Sequence, residues 1–307
     1  MSQKTLLCLA TAKGLGALGA VKDISASSDV IVCTFTETHT EGDSDIKILE
    51  LARELGCQTI SWNEVRYDLI SVIERENIQA VIAIGWRYLL PMSIQKLCRY
   101  GILVFHDSLL PKYRGFAPLA TAILTGEKIS GLTVLHAMDE VDAGDVIFQR
   151  EMPLFDYDTI DDAIKRIIPL FRNSLRDILE SIRNGETLPR SSQNHDDATY
   201  SIWRSPEDGE IDWDQDSVSI DRLVRSAGYP YSGAFTEYEG KKIFVQETKI
   251  LENMNFEIRQ PGKIWQMPPE GPIIVCGRGM IQILSATNED GSSHLPPPKL
   301  RVRYGIR

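Results

Sequence analysis

The chain has 307 residues, 43% of them hydrophobic, with 22 glycines and 15 prolines. It is too apolar for a disordered protein and too poor in glycine and proline for a fibrous one, and at roughly 150 residues per domain it has room for two cores. Its 33 basic against 43 acidic side chains leave a net charge of −10, which disfavours an extended phosphate-binding surface, and its five scattered cysteines form no CxxC pair, against a disulfide framework or a cysteine zinc site.

Along the first half, short apolar runs alternate with helical patterns. Residues 5–10, 30–34, 58–61, 80–84 and 102–105 read as strands, and 46–55, 65–76 and 92–99 as helices. Such alternation predicts βαβ units, hence an α/β fold with a doubly wound, mostly parallel, Rossmann-like sheet. Residues 159–184 form one longer helical pattern, with Ile160, Ile164, Ile167, Phe171 and Leu175 on its apolar stripe. Pro169 is expected to kink or split it, and Asn184-Gly185 to end it. The polar run 190–197 marks a linker, so the expected organisation is a domain over 1–190, a linker over 191–204 and a second domain over 205–307. There the grammar changes to a short helix at 220–227 and strands at 233–238, 242–250, 262–265, 273–275 and 280–285, as in a small β-rich barrel or sandwich. No apolar run is long enough to cross a membrane, and the first residues lack the basic lead and apolar core of a secretory leader. A reduced, cytoplasmic protein is the expectation.

Two motifs carry chemistry. Gly14, Gly16 and Gly19 spell G-x-G-x-x-G after the first strand, with Glu37 near the end of the second, where a dinucleotide fold keeps its ribose-binding acid. The same glycines serve equally well as a turn, and the turn is the favoured reading because no hydride-transfer partner is visible. The second motif is longer. His106 closes a strand and leads into a Pro/Gly-punctuated loop, and after the next strand come Asp139, Glu140, Asp142 and Asp145. Histidine near a carboxylate is the minimal equipment for proton transfer at neutral pH, although either group by itself is commonplace. His136 reads as structural or solvent-facing, and no metal-ligand cluster is apparent.

The wording HDSLLPKYRGFAP at 106–118, followed by GLTV at 131–134 and MDEVDAGD at 138–145, resembles the folate-dependent formyltransferases. That family includes methionyl-tRNA formyltransferases, glycinamide ribonucleotide transformylase and the enzymes that formylate nucleotide-linked amino sugars. GWRYLLP at 85–91 is similar to the family segment beside the folate. IDW at 211–213, the run 223–235, PGKI at 261–264 and residues 273–284 are similar to the C-terminal domain of the tRNA and amino-sugar enzymes, an OB-like module.

The resemblance implies an enzyme that moves a formyl group from N10-formyltetrahydrofolate to an amine. His106 and Asp142 fall on the catalytic positions, the histidine stabilising or shuttling charge while the aspartate orients it. Arg87, Tyr88 and Leu89, with Met138, Asp139 and Glu140, fall beside the folate, although Leu89 could equally be core and Arg87 a solvated charge. Ser108, Lys112 and Arg114 are candidate substrate contacts, the two cations for a pyrophosphate. One position departs from the family: the usual asparagine two residues before the histidine is Val104 here, and the loss of one such donor is worth about 3 kcal/mol of transition-state stabilisation. Ser108, a backbone N–H or water could substitute. Where the tRNA enzymes carry a basic loop, residues 36–45 hold four acids and no lysine or arginine, which disfavours tRNA. The acceptor expected is therefore a nucleotide-linked amino sugar, with methionyl-tRNA as the alternative, followed by a non-catalytic or NAD-binding relative.

Overall fold

The computed structural model describes residues 4–24, 27–35, 44–297 and 299–305. Glu37, His39 and most of the acidic 36–45 segment lie outside the described residues. The chain divides into two units, residues 1–119, 129–153 and 163–202 in the first and 120–128, 154–162 and 203–307 in the second.

The first unit begins as the apolar periodicity predicts: β1 (Lys4–Leu9), α1 (Thr11–Asp23), β2 (Val30–Thr34), α2 (Ser44–Glu54) and β3 (Gln58–Ser61). The single helix expected over 65–76 is two short ones, α3 (Trp62–Val65) and α4 (Leu69–Arg75), and β4 (Ile78–Ile84) follows. Residues 92–99 supply only a 3-10 turn, Met92–Lys96, before β5 (Gly101–His106). The chain then continues through β6 (Arg114–Gly115), α5 (Pro118–Thr125, of which 120–125 belong to the second unit), β7 (Ile129–His136), β8 (Val146–Pro153), α6 (Ile160–Arg183) and β9 (Tyr200–Ser201).

Seven of these strands form one sheet in the order β3-β2-β1-β4-β5-β7-β8. The first five are parallel, whereas β7 runs antiparallel to both β5 and β8. Every residue of β2 is buried, the continuous apolar reading of a parallel strand covered on both faces. Leu6, Cys8, Ile31, Val81 and Ile102 pack with Leu69 and Ile73 of α4 on one face. On the other, Phe105 meets Phe171 of α6 with ring centroids 6.1 Å apart. The strand order reverses between β1 and β4, and the crevice beyond the carboxyl ends of such a sheet is where ligands sit.

Gly14, Gly16 and Gly19 lie inside α1 and do not form a loop before it. Their role is close packing. A Cβ on Gly14 would stand 3.2 Å from the Ile84 carbonyl oxygen, and one on Gly16 would overlap Ile168 of α6. A phosphate cradle needs those glycines ahead of the helix, with backbone N–H groups exposed. The predicted turn is thus corrected to a helix interior, and the dinucleotide reading loses its geometry. Pro169 does not split α6, which runs unbroken from Ile160 to Arg183. The proline is exposed, so its ring does not disturb the buried stripe of Ile167, Phe171 and Leu175.

The second unit holds α7 (Ser217–Ala227) and β10 (Ala234–Tyr238), β11 (Lys241–Leu251), β12 (Ile264–Gln266), β13 (Ile273–Val275) and β14 (Met280–Asn288). The strands form an antiparallel sheet ordered β10-β11-β14-β13-β12, with α7 packed against β11. Asp216 caps α7 by accepting from the N–H groups of Val218 and Ser219, each at 2.9 Å. Trp213, Ile220, Val224, Ile243, Ile281 and Tyr304 belong to its core. Among the described residues no helix is long and apolar enough to cross a membrane.

Candidate active site

His106 ends β5, paired in register with Thr133 of β7. Thr133 organises the chain beyond it: its hydroxyl donates to the Ser108 carbonyl at 2.7 Å and accepts from the Leu110 N–H at 3.1 Å. Gln149 donates to the Leu110 carbonyl at 2.8 Å and to the Thr133 hydroxyl at 2.9 Å. The loop thereby folds back until the Tyr113 carbonyl accepts from His106 Nε2 at 2.8 Å. A carbonyl can only accept, so Nε2 carries the hydrogen, and Nδ1 is the nitrogen that can take or release a proton.

Nδ1 faces Asp142 Oδ2 at 3.4 Å, His106 being buried and Asp142 partly so. The same oxygen accepts the Gly115 N–H at 2.8 Å. Histidine from the end of β5 and carboxylate from the loop after β7 are therefore brought together. Asp142 has φ +54° and Tyr113 φ +62°, both left-handed, where a side chain is held only by its surroundings.

Ser108 and Arg114 differ from expectation. Ser108 is buried, and its hydroxyl donates to the Lys112 carbonyl at 2.6 Å, so it braces the loop and is no replacement donor for Val104. Arg114 is 1% exposed. Its guanidinium donates to Gln193 Oε1 from Nη2 at 2.8 Å and from Nε at 3.2 Å, with Glu140 Oε1 at 3.3 Å and His195 Nδ1 at 3.2 Å. These bonds make it an internal tie. Lys112 is exposed.

Tyr88 and Leu90 share an apolar cluster with Val104 and Ala137, which brings the 85–91 segment alongside the strand of His106 and the loop that follows Ala137. Leu89 is 84% exposed and Met138 45% exposed, apolar surface that the fold itself leaves uncovered. Arg87, Asp139 and Glu140 are also exposed. Tyr88 meets Phe35 edge-on at 5.0 Å, and Trp62 and Trp86 complete the aromatic group. The indole N–H groups of Trp62 and Trp86 are buried without a hydrogen-bond partner. His136 is structural: Nε2 donates to the Pro189 carbonyl at 3.2 Å, while burial first, and then the nearby charge of Arg190, hold the ring below its ordinary pKa.

Sequence reasoning missed Lys13. From the first turn of α1 its ammonium bonds Asp107 Oδ2 at 2.8 Å, next to His106. Burial would push the Asp107 carboxyl up, but the charges of Lys13 and His106 outweigh it, and the group lies below the usual carboxylate range. Gln193 was missed as well, read only as part of a polar linker. That segment is tied down: Ser191 bridges to Val146, Gln193 is buried, and β9 pairs with β6. Among the described residues, no group of three or more His, Cys, Asp or Glu side chains could hold a metal. A cavity of about 330 Å³ within the second unit is bounded by Trp213, Tyr304 and Arg303, none of them in either motif.

A seven-stranded, mostly parallel sheet with a histidine and an aspartate paired beyond one of its strands, followed by a small antiparallel unit, defines an α/β protein with an appended β domain. The chain belongs to the formyl transferase family: residues 31–175 match the formyl transferase model and residues 204–294 its C-terminal domain. It is 33% identical over 218 residues to a methionyl-tRNA formyltransferase of Acetivibrio thermocellus, a match spanning 70% of this chain and 68% of that one. The fold is shared with an N-formyltransferase from Helicobacter canadensis in complex with folinic acid and dTDP-3-aminofucose (TM-score 0.69, 17% identity, 92% of this chain and 99% of that one). It is also shared with HypX from Aquifex aeolicus in complex with tetrahydrofolic acid (TM-score 0.64, 19% identity), of which the match spans 45% while covering 95% of this chain.

Proposed function

We propose that this protein transfers the formyl group of N10-formyltetrahydrofolate to the amine of a nucleotide-linked amino sugar, in the cytoplasm. The observation that carries the reading is the His106–Asp142 pair, 3.4 Å apart, each in a segment that resembles the family's motif. The residues present fit the folate: exposed Leu89 and Met138 offer apolar surface to a ring system, beside Arg87, Tyr88, Asp139 and Glu140. When bound, that co-substrate supplies the formyl carbon.

The chain's part is to handle protons. As the amine bonds to the formyl carbon and the bond from that carbon to the folate N10 breaks, the amine must lose a proton and the departing nitrogen must gain one. His106 Nδ1 is the nitrogen that would take the first and hand it on, since Nε2–H is given to Tyr113. Asp142 stabilises the imidazolium so formed, and the Gly115 N–H keeps the carboxylate in place. Val104 offers no donor to a developing oxyanion, so that role falls to backbone N–H groups or water.

The amino-sugar acceptor is supported by the acidic 36–45 segment, by the net charge of −10, and by the near-complete length match to the Helicobacter canadensis enzyme. Methionyl-tRNA is the second reading, favoured by the 33% identical relative. Formyl transfer is to be assayed with a panel of nucleotide-linked amino sugars and with methionyl-tRNA, each at several salt concentrations. Turnover of an amino sugar is the expected result. Turnover of tRNA only, with a steep salt slope, would replace the acceptor assigned here, and no turnover of either would point to a non-catalytic relative. His106→Ala and Asp142→Asn should each lower the rate at least about a hundredfold, with the double variant little slower than the poorer single one. Near-full activity in both single variants would place the chemistry elsewhere.

A further inference from the structure

The geometry points to Gln193 as a positioning residue for the proton-transfer pair, an inference that rests on the reading of His106 and Asp142 as that pair. Gln193 is buried, and its amide is fully used. Nε2 donates to the carbonyls of Asp142 at 2.8 Å and Gly144 at 2.7 Å, which occupies both hydrogens. Oε1 accepts twice from Arg114, at 2.8 Å and 3.2 Å. Two carbonyls on one side and a guanidinium on the other leave the amide a single satisfactory orientation.

Those four bonds join the two backbone segments that meet at the site. Arg114 immediately precedes Gly115, whose N–H holds the Asp142 carboxylate, and Asp142 and Gly144 form the opposite wall. Neither wall is held by local preference. Asp142 is left-handed, and a Cβ on Gly144 would overlap the His136 carbonyl oxygen, so the loop is pressed against the end of β7. A side chain from 51 residues away supplies the fixed distance between them. Small displacements of an acid–base pair are expensive in rate, which is how a residue that touches neither His106 nor the Asp142 carboxylate controls turnover.

Gln193→Glu separates this role from mere packing. Glutamate has the same shape and keeps its acceptors for Arg114, but it sets a carboxylate against two carbonyls where the amide donated. The first readout needs no acceptor: exchange of the Gly115 amide hydrogen by NMR, which reports whether the Asp142 carboxylate stays in place. We expect it to speed at least tenfold, with the melting temperature within a few degrees of wild type. The second is formyl transfer on the acceptor identified by the assay above. There kcat should fall at least tenfold with KM for the formyl donor within twofold, and Asp142→Asn/Gln193→Glu should be no slower than Asp142→Asn. Should Gln193→Glu not fold, Gln193→Met, unbranched and unable to donate, is read in the same way. Unchanged Gly115 protection, unchanged kcat, or a loss that adds to that of Asp142→Asn would each overturn the assignment. Failure of the underlying pair is distinguished separately, because Asp142→Asn would then keep its activity before any Gln193 variant is made.

Discussion

Val104 is half-buried within the apolar cluster that includes Tyr88, Leu90 and Ala137, on the same face of β5 as His106. Val104→Asn should raise the formyl-transfer rate by restoring a donor on that face. An unchanged rate would show that another group already fills the role. Lys13 sets a second expectation. Removing one partner of a fully buried ion pair costs about 3–5 kcal/mol, because the remaining charge is stranded, and the partial exposure of this pair puts it toward the lower end. Lys13→Met should therefore destabilise the protein by an amount of that order in urea titrations at pH 7. The sign of the pH dependence follows from Asp107, whose folded pKa is depressed in wild type. Its contribution is fully present above the unfolded value near 4 and is lost as pH falls through the folded one. Without Lys13, burial becomes the dominant influence and raises that pKa. The variant's deficit should then shrink on acidification from pH 7 to 5, and a deficit independent of pH would dissociate Asp107 from the effect.

At the scale of elements, α1 shows tertiary packing overriding helix propensity. Alanine in place of a mid-helix glycine is ordinarily worth about 1 kcal/mol of added stability. At Gly16 the new Cβ would overlap Cγ2 of Ile168, a β-branched side chain with little χ1 freedom in its helix. Overpacking of this kind costs about 1–3 kcal/mol, so the clash wins. Gly16→Ala is expected to destabilise by about 1–2 kcal/mol, and Ile168→Ala in that background should recover part of it by making room. A stabilised Gly16→Ala would mean that α1 and α6 can separate without penalty. Elsewhere periodicity succeeded where runs were long, as in α6, and failed where they were short. Two-residue strands such as β6 and β9 have no alternation to read, and they exist only because Arg114 and Tyr200 are brought into register.

For the whole molecule, both units contain a buried histidine whose burial holds its pKa below the ordinary value of about 6.5: His136 in the first, and His294 in the second. His294 sits between Asn288 Oδ1 and the Tyr304 hydroxyl, each at 3.1 Å. In the window below pH 6.5 the unfolded chain binds more protons than the folded one, so stability rises with pH there and is lost on acidification. Urea midpoints should accordingly fall between pH 7.5 and 5.5. His136→Gln or His294→Gln, measured separately, should each flatten part of that slope. Slopes identical to wild type in both variants would exclude these two rings as its source.

The sequence by itself determined the alternation of strands and helices as far as β5, the β-rich character of the second unit, and the family, because long apolar runs and a contiguous motif are local properties of a chain. It also singled out His106 and Asp142 as candidates, which the fold sets 3.4 Å apart, since each stands in a segment whose residues are recognisable in line. Only the tertiary structure decided that the glycines of α1 serve helix packing, that Arg114 and Ser108 are internal ties, and that Lys13 and Gln193 stand at the site. The reason is distance along the chain. Lys13 meets Asp107 from 94 residues away and Gln193 reaches Asp142 from 51, and no pattern of spacing marks such pairs before the sheet has folded and set their strands and loops side by side.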